Sequence, residues 1–277
     1  MKLGGRALEA PGALSECAAA LRDTGEAGRS ARAHAHPSPG RPTLVVHGGG
    51  AEVTAWCARA GIAARFADGL RVTDPATLEI AAAVLAGLAN KRLVAALRAQ
   101  GVDAVGLAAL DGGIAQVRRH ANSATLGEVG EIESVDASLL EDLLAAGRTP
   151  VLASLGADGA GALLNLNADD VAAAIAAALP AGDLLLLSDT PGLKLGGEVV
   201  RTLDPAALDG ALEHPDVSGG MRPKLRAARM ALAAGVRLVH IAAWHGTDTI
   251  ASVLAGRGVA TTCHAGAPAP TEEESHA

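Results

Sequence analysis

Aromatic side chains are nearly absent: the 277-residue chain has one Phe, two Trp and no Tyr. A core without rings must be filled by Ala, Val, Leu and Ile, and the abundance of alanine points to closely packed helices. Cysteine is scarce as well. Cys17, Cys57 and Cys263 are odd in number, widely spaced and form no metal-ligand pattern, which reads as a reducing cytoplasm and not a disulfide framework. Positive charge is outweighed, with 23 Lys and Arg against 30 Asp and Glu and a net charge of −7. That excludes a basic field for nucleic acid or an anionic membrane. No secretory leader stands out, and no unbroken apolar run reaches the roughly 18 residues of a membrane helix. The expectation is a soluble intracellular protein, long enough for one large α/β domain or two lobes.

What is present is organised around Thr43-Leu-Val-Val-His-Gly-Gly-Gly50. A short apolar run ending in three glycines and resuming as a helix reads as a buried parallel strand feeding an anion-facing turn. Glycine lets backbone N–H groups converge, and the helix start adds its positive dipole end. A second turn of this kind opens the chain, Met1-Lys-Leu-Gly-Gly5, behind a strand that is almost missing. Either that strand is truncated or the polypeptide starts further upstream. Neither turn carries the Gly, four residues, Gly-Lys-Ser/Thr pattern of a P-loop.

Downstream, apolar strands at 43–47, 103–107, 149–153, 184–188, 237–242 and 258–262 alternate with helices near 50–61, 75–99, 136–146, 168–179, 205–213, 220–235 and 247–256. A further helix is expected at 7–24, a Gly/Ser/Arg/Pro-rich loop at 25–42, a lid at 114–133 and a hairpin at 192–201. Such alternation predicts an open α/β fold, a mostly parallel sheet covered on both faces.

Several residues could carry chemistry, each with a plainer reading beside it. Arg71, in Gly69-Leu-Arg-Val-Thr-Asp74, reads by spacing as a solvent-facing Arg beside a helix cap; the alternative is a fork for a carboxylate. In Asn165-Leu-Asn-Ala-Asp169 the two Asn share a face and Asp169 opens an Ala-rich helix; they are turn formers and a cap, or substrate amides and an acid that orients lysines. Lys224 follows the glycine turn of Ser218-Gly-Gly-Met-Arg-Pro-Lys224, where a Lys is solvated or reaches a phosphoryl group. Ser188-Asp-Thr-Pro-Gly-Leu193 ends a leucine strand in a polar turn suited to a nucleotide.

Taken in order, Lys2-Leu-Gly-Gly5, Val46-His-Gly-Gly-Gly50, Gly69-Leu-Arg-Val-Thr-Asp74, Asn90-Lys91, Asn165-Leu-Asn-Ala-Asp169, Ser188-Asp189 with Gly192-Leu193, and Gly219-Gly-Met-Arg-Pro-Lys224 resemble the amino acid kinase family in its acetylglutamate-type versions. The resemblance implies an open three-layer αβα sandwich. Residues 1–177 would form a lobe for the amino-acid substrate and the phosphoryl site, 178–265 a lobe for ATP, and 266–277 a disordered tail. It implies ATP-dependent phosphorylation of the side-chain carboxylate of N-acetyl-L-glutamate, with Mg²⁺ held mainly by the nucleotide. Lys2 and Lys224 would flank the phosphoryl group, with Asp169 holding both. Gly48, Gly49, Arg71, Asn165 and Asn167 would take the substrate. Gly4, Gly5, Ser188, Asp189, Gly192, Leu193, Gly220 and Met221 would lie at the nucleotide.

The same resemblance leaves two alternatives: aminoadipate or glutamate linked to a small acidic carrier protein, hinted at by Arg118, Arg119 and His120 in the lid, or a non-catalytic regulatory homologue. It implies a homodimer packed through the 75–99 helix. It also implies weak or no feedback by arginine, since the long N-terminal helix of arginine-inhibited members is not in the chain. Ala108 and Ala109 stand where the family keeps a Ser-Gly pair.

Overall fold

The six runs expected as strands all enter one eight-stranded sheet, joined by Lys2–Leu3 and Thr202–Leu203. The computed structural model describes residues 1–4, 12–26, 42–179 and 181–266. Gly5, nearly all of the loop expected at 25–42 and the tail after 266 therefore lie outside the described residues.

Across the sheet the strands run Thr202–Leu203, Ala260–His264, Leu238–Ala243, Asp183–Ser188, Lys2–Leu3, Val45–His47, Thr149–Ala153 and Ala104–Ala108. Every pairing is parallel except that of Leu238–Ala243 with Ala260–His264. The shortened first strand occupies the middle. Lys2 lies opposite Leu186 on one side and Val46 on the other, and Leu3 opposite Leu187 and His47. Its C-terminal end is tied on both flanks: Gly4 N–H donates to Leu187 O at 3.1 Å, and Leu3 O accepts from Gly48 N–H at 3.1 Å.

Both faces of the sheet are covered, so its central strands are mostly apolar instead of alternating with polar residues. Leu184 and Leu186 pack on one face with Ile175 and Leu225, from helices Ala168–Ala178 and Met221–Ala233. Leu185 and Leu187 pack on the other with Leu93, Leu97 and Ile250. In place of rings, Ala172, Ala173 and Ala176 of one helix and Ala227, Ala228 and Ala231 of the next are buried, the close approach that the composition predicts.

Three features bear on the site. The stretches 114–133 and 192–201 contain antiparallel pairs, Ala115–Arg119 with Gly130–Val135 and Lys194–Leu195 with Glu198–Val199. A hairpin not expected from sequence, Phe66–Ala67 with Leu70–Arg71, turns through Asp68 and Gly69, both at positive φ. The helix Pro75–Ala99 is long and apolar enough, by length and composition, to cross a membrane. Glu79, Asn90 and Lys91 interrupt its apolar run, so no unbroken apolar stretch in it reaches membrane-spanning length. Its middle, Ala83–Ala89, is a π-helix.

Leu186 is fully buried in the middle of the sheet. Leu186→Ala is expected to lower the unfolding free energy by about 2–5 kcal/mol, read as a lower urea midpoint at unchanged slope.

Candidate active site

The C-terminal ends of the central strands are where ligands bind in an open α/β sheet, and here they carry charge. Lys2 projects from the first strand, and Asp169 and Lys224 from the first turns of the helices Ala168–Ala178 and Met221–Ala233. Lys2 Nζ lies 2.9 Å from Asp169 Oδ1, and Lys224 Nζ lies 3.3 Å from Oδ2 and 3.2 Å from Gly220 O. All three side chains are buried. Burial pushes the Asp169 carboxyl up, but the two ammonium groups outweigh it and hold the pKa below the usual carboxylate range. Burial lowers the pKa of Lys224, with Asp169 acting against the shift and Lys2 adding to it. Two cations on one anion leave a buried cluster of net positive charge.

Beside this cluster lies a cavity of about 200 Å³ whose lining includes Lys2, Gly48, Gly49, Arg71, Asn165 and Asp169. Arg71 is not solvent-facing, as its spacing suggested; the hairpin folds it inward. Its Nη2 donates to Gly50 O at 2.6 Å and Thr54 Oγ1 at 2.7 Å, and its guanidinium lies 4.8 Å from the centre of the Phe66 ring. Its Nη1 is buried without a hydrogen-bond partner, and the residue lines the cavity. Asn165 Nδ2 donates to Thr73 Oγ1 at 3.1 Å. The cap of the Ala168–Ala178 helix is Asn167, whose Oδ1 accepts from the amides of Asp169 at 2.9 Å and Asp170 at 3.1 Å. Asp169 is thereby freed from capping and faces the lysines.

Part of the amide cradle expected of the two glycine turns is taken up by the sheet. The Gly4 and Gly48 amides are used by the sheet, and a Cβ on Gly4 would sit 2.6 Å from Lys2 Nζ. Gly4 thus clears a path for the lysine. Gly49 and Gly50, at the start of the helix Gly50–Arg59, occupy the positions whose N–H groups have no intrahelical acceptor.

Of the residues expected at the nucleotide, Ser188, Asp189, Gly192, Leu193, Gly220 and Met221 do not line this cavity. Ser188 ends the strand Asp183–Ser188, which pairs with Lys2–Leu3, and Asp189 follows it; Gly220 is joined to the cluster through Lys224. Leu193 is engaged by the fold: its side chain is buried, its N–H donates to Thr261 Oγ1 at 2.8 Å and its carbonyl accepts from Val200 N–H at 2.8 Å. Gly192, at φ 145°, is required by the backbone, since a Cβ would also lie 2.5 Å from Thr261 Oγ1. The lid cations are paired: Arg118 with Glu131 at 2.6 Å, Arg119 with Glu128 at 2.6 Å and His120 with Glu131 at 3.3 Å.

The sequence reading missed Phe66 and Ser154, both of which line the cavity. Phe66 is the one Phe of the chain and 59% exposed. A lone aromatic beside the Gly69-Leu-Arg motif was the available signal.

Over residues 1–243 the chain matches the amino acid kinase family. It is 44% identical over 225 residues to the acetylglutamate kinase of Methanopyrus kandleri, covering 78% of this chain and 89% of that protein. With the acetylglutamate kinase of Chloroflexus aurantiacus the identity is 41% over 255 residues, covering 90% and 94%. Among solved structures, N-acetylglutamate synthase from Neisseria gonorrhoeae, complexed with coenzyme A and N-acetyl-glutamate, superposes with a TM-score of 0.80 at 25% identity. That match covers 96% of this chain and 59% of that one, so the chain spans about three fifths of its length.

Asp170 differs from its neighbour. Burial pushes its carboxyl up to about 7, with Asp169 and Glu131 adding to the shift and Arg226 opposing it. A carboxyl raised on folding gives its full stabilisation below the unfolded pKa near 3.8 and loses it as pH rises toward 7. Asp170→Asn is therefore expected to raise the melting temperature more at about pH 8 than at about pH 5. Equal gains at both, by scanning calorimetry, would refute the assignment.

Proposed function

The chain belongs to the amino acid kinase family, and from that premise we propose that it transfers the γ-phosphoryl group of ATP to the side-chain carboxylate of N-acetyl-L-glutamate. The observation that carries this reading is Asp169 gripping Lys2 and Lys224 on its two oxygens beside a cavity that Arg71 also lines.

The acceptor carboxylate is already ionised at neutral pH, so no general base has to activate it. What the transfer needs is in-line placement and positive charge on the oxygens that gain density. Lys2 and Lys224 supply that charge from fixed positions. Asp169 keeps the two ammonium groups from repelling each other apart and takes no proton, its own pKa being held low. The donor set, ammonium groups with helix-start amides, fits phosphate oxygens. Mg²⁺ carried on the nucleotide would neutralise the β- and γ-phosphate oxygens.

At the other end, the Arg71 guanidinium is proposed to take the substrate's α-carboxylate, with Asn165, Asn167 and the amides of Gly49 and Gly50 along the rest of the molecule. The turns at 188–192 and 220–221 are proposed for the nucleotide. This keeps the division at 177–178, with one continuous sheet running through both halves. Two copies are proposed to pair through Pro75–Ala99, since only 33% of that helix's most apolar window is buried within the chain. A cytoplasmic location is proposed from three free, buried cysteines.

A carrier-linked substrate is less well supported. The relatives named above are acetylglutamate kinases, and the lid cations that would greet an acidic carrier are paired with lid carboxylates. A regulatory homologue without turnover would have no use for two buried lysines on one aspartate.

Purified protein with ATP and N-acetylglutamate is expected to give an acyl phosphate that hydroxylamine traps, with Lys224→Ala lowering the rate by roughly a hundredfold or more. Turnover only with a carrier-linked substrate would overturn the assignment. Arg71→Ala removes a charge-assisted donor and is expected to raise the KM for N-acetylglutamate about tenfold to a hundredfold, leaving that for ATP nearly unchanged.

A further inference from the structure

Beneath the glycine turn is a buried polar chain that the proposed chemistry does not use. His47 and Asn90 are both fully buried. Asn90 Nδ2 lies 2.9 Å from Val151 O, 3.2 Å from Leu107 O and 3.1 Å from His47 Nε2. Its Oδ1 accepts from Lys91 Nζ at 3.0 Å, which fixes the orientation of the amide. An amide nitrogen can only donate, and Nδ2 shares its two protons among three acceptors, so His47 Nε2 meets it with a lone pair. The ring proton is then on Nδ1, which lies 2.9 Å from Gly48 O, and a carbonyl can only accept. Burial lowers the His47 pKa, the bond to Gly48 opposes this and Lys91 adds to it, in keeping with a neutral ring. The strand residues paired with His47, Leu3 and Ala153, carry no charge.

The consequence lies one peptide further on. A trans peptide points its C=O and its N–H to opposite sides. Holding Gly48 O on the His47 ring therefore turns the Gly49 N–H away from it, toward the cavity that Gly48, Gly49 and Gly50 line. We infer that Asn90 is a positioning residue: through the tautomer of His47 it fixes the direction of the Gly49 N–H that meets the acceptor carboxylate or the phosphoryl group. The role in turnover rests on the kinase reading; the hydrogen-bond lock does not.

The surroundings are shaped to hold this chain. Asn90 follows directly on the π-helical segment Ala83–Ala89, an irregularity frequent at functional sites. Within that segment Leu85 backs the turn so closely that a Cβ on Gly49 would lie 2.9 Å from its Cδ2. Across from it Gly106 leaves room for the amide, since a Cβ there would come within 2.2 Å of Asn90 Oδ1.

Two substitutions separate positioning from packing. Asn90→Leu keeps the bulk and removes the donor, freeing the His47 tautomer. It is expected to lower kcat roughly tenfold to a hundredfold at every pH, with the KM for ATP little changed. Asn90→Asp replaces the donor by an acceptor. While His47 is protonated it can donate from Nε2 to the new carboxylate and from Nδ1 to Gly48 O, so the loss is limited to that caused by the Val151 and Leu107 carbonyls losing their donor. Once it is neutral, the ring keeps its one proton on Nε2, donating to the carboxylate, and the Nδ1 lone pair faces Gly48 O. The activity of Asn90→Asp is therefore expected to fall as pH rises through the His47 ionisation, a limb absent from the unmodified enzyme.

Independently of turnover, ¹⁵N NMR of ring-labelled histidine in the unmodified protein at about pH 7 to about pH 9 is expected to show His47 as the neutral Nδ1–H tautomer. An Nε2–H tautomer or a protonated ring would overturn the proposal, as would unchanged kcat in Asn90→Leu or the same pH-independent loss in both variants. Should either variant fail to fold, the ring-nitrogen signal decides. An Nδ1–H ring in a protein that forms no acyl phosphate would refute the kinase reading and the role of Asn90 in turnover, and leave the lock standing.

Discussion

One carboxylate between two ammonium groups is the interaction on which the site depends. Lys2 and Lys224 come from opposite ends of the chain and meet only because each reaches a different oxygen of Asp169. Without the carboxylate, two buried cations would repel each other in a medium that screens poorly. A buried ion cluster is weak evidence for stability, because removing its members from water costs about as much as their attraction returns. In the proposed reaction this one has a chemical use. One negative charge is shared by two positive ones, and the surplus faces the position where a phosphoryl group would sit.

The fold places that surplus by means of its shortest strand. Lys2 is fixed because Leu3 is fully buried between Leu187 and His47 and because the strand is paired on both edges. The other two charges come from helix starts, where first-turn side chains lie close to the sheet edge. The shortage of aromatics matters here as well. Alanine faces on Ala168–Ala178 and Met221–Ala233 let the helices approach closely, which brings Asp169 and Lys224 within ion-pair distance.

Much of this was legible in sequence because it rests on periodicity. Apolar runs and amphipathic helices located the six strands and the main helices to within a few residues. What stayed hidden depends on geometry that periodicity does not encode. The hairpin Phe66–Ala67 with Leu70–Arg71 has strands of two residues, too short to alternate visibly, so Arg71 read as exposed until the hairpin turned it inward. In Asn165-Leu-Asn-Ala-Asp169 two neighbouring residues can each cap a helix, and only the backbone shows that Asn167 caps and Asp169 does not. The π-helical register at Ala83–Ala89 leaves the apolar pattern unchanged while it redirects Asn90. The amides of Gly4 and Gly48 looked available because sequence does not show that strand pairing has already used them.

The pattern of ionisation is itself informative about the reaction. Perturbed pKa values often mark catalytic acids and bases, and Asp170, raised to about 7, would be the natural suspect by that rule. Yet the lining of the cavity includes Asp169 and not Asp170. Transfer to a carboxylate explains the mismatch. The nucleophile arrives ionised and the leaving nucleotide needs no proton, so selection at the site acts on where donors point and not on groups poised to titrate. Asp169 is held low, Lys224 stays paired and His47 is kept neutral by burial. Each of these groups is most useful when its charge does not change during the reaction. A site built this way is recognised by its fixed charges and oriented amides, which is where the physical argument for its function has to begin.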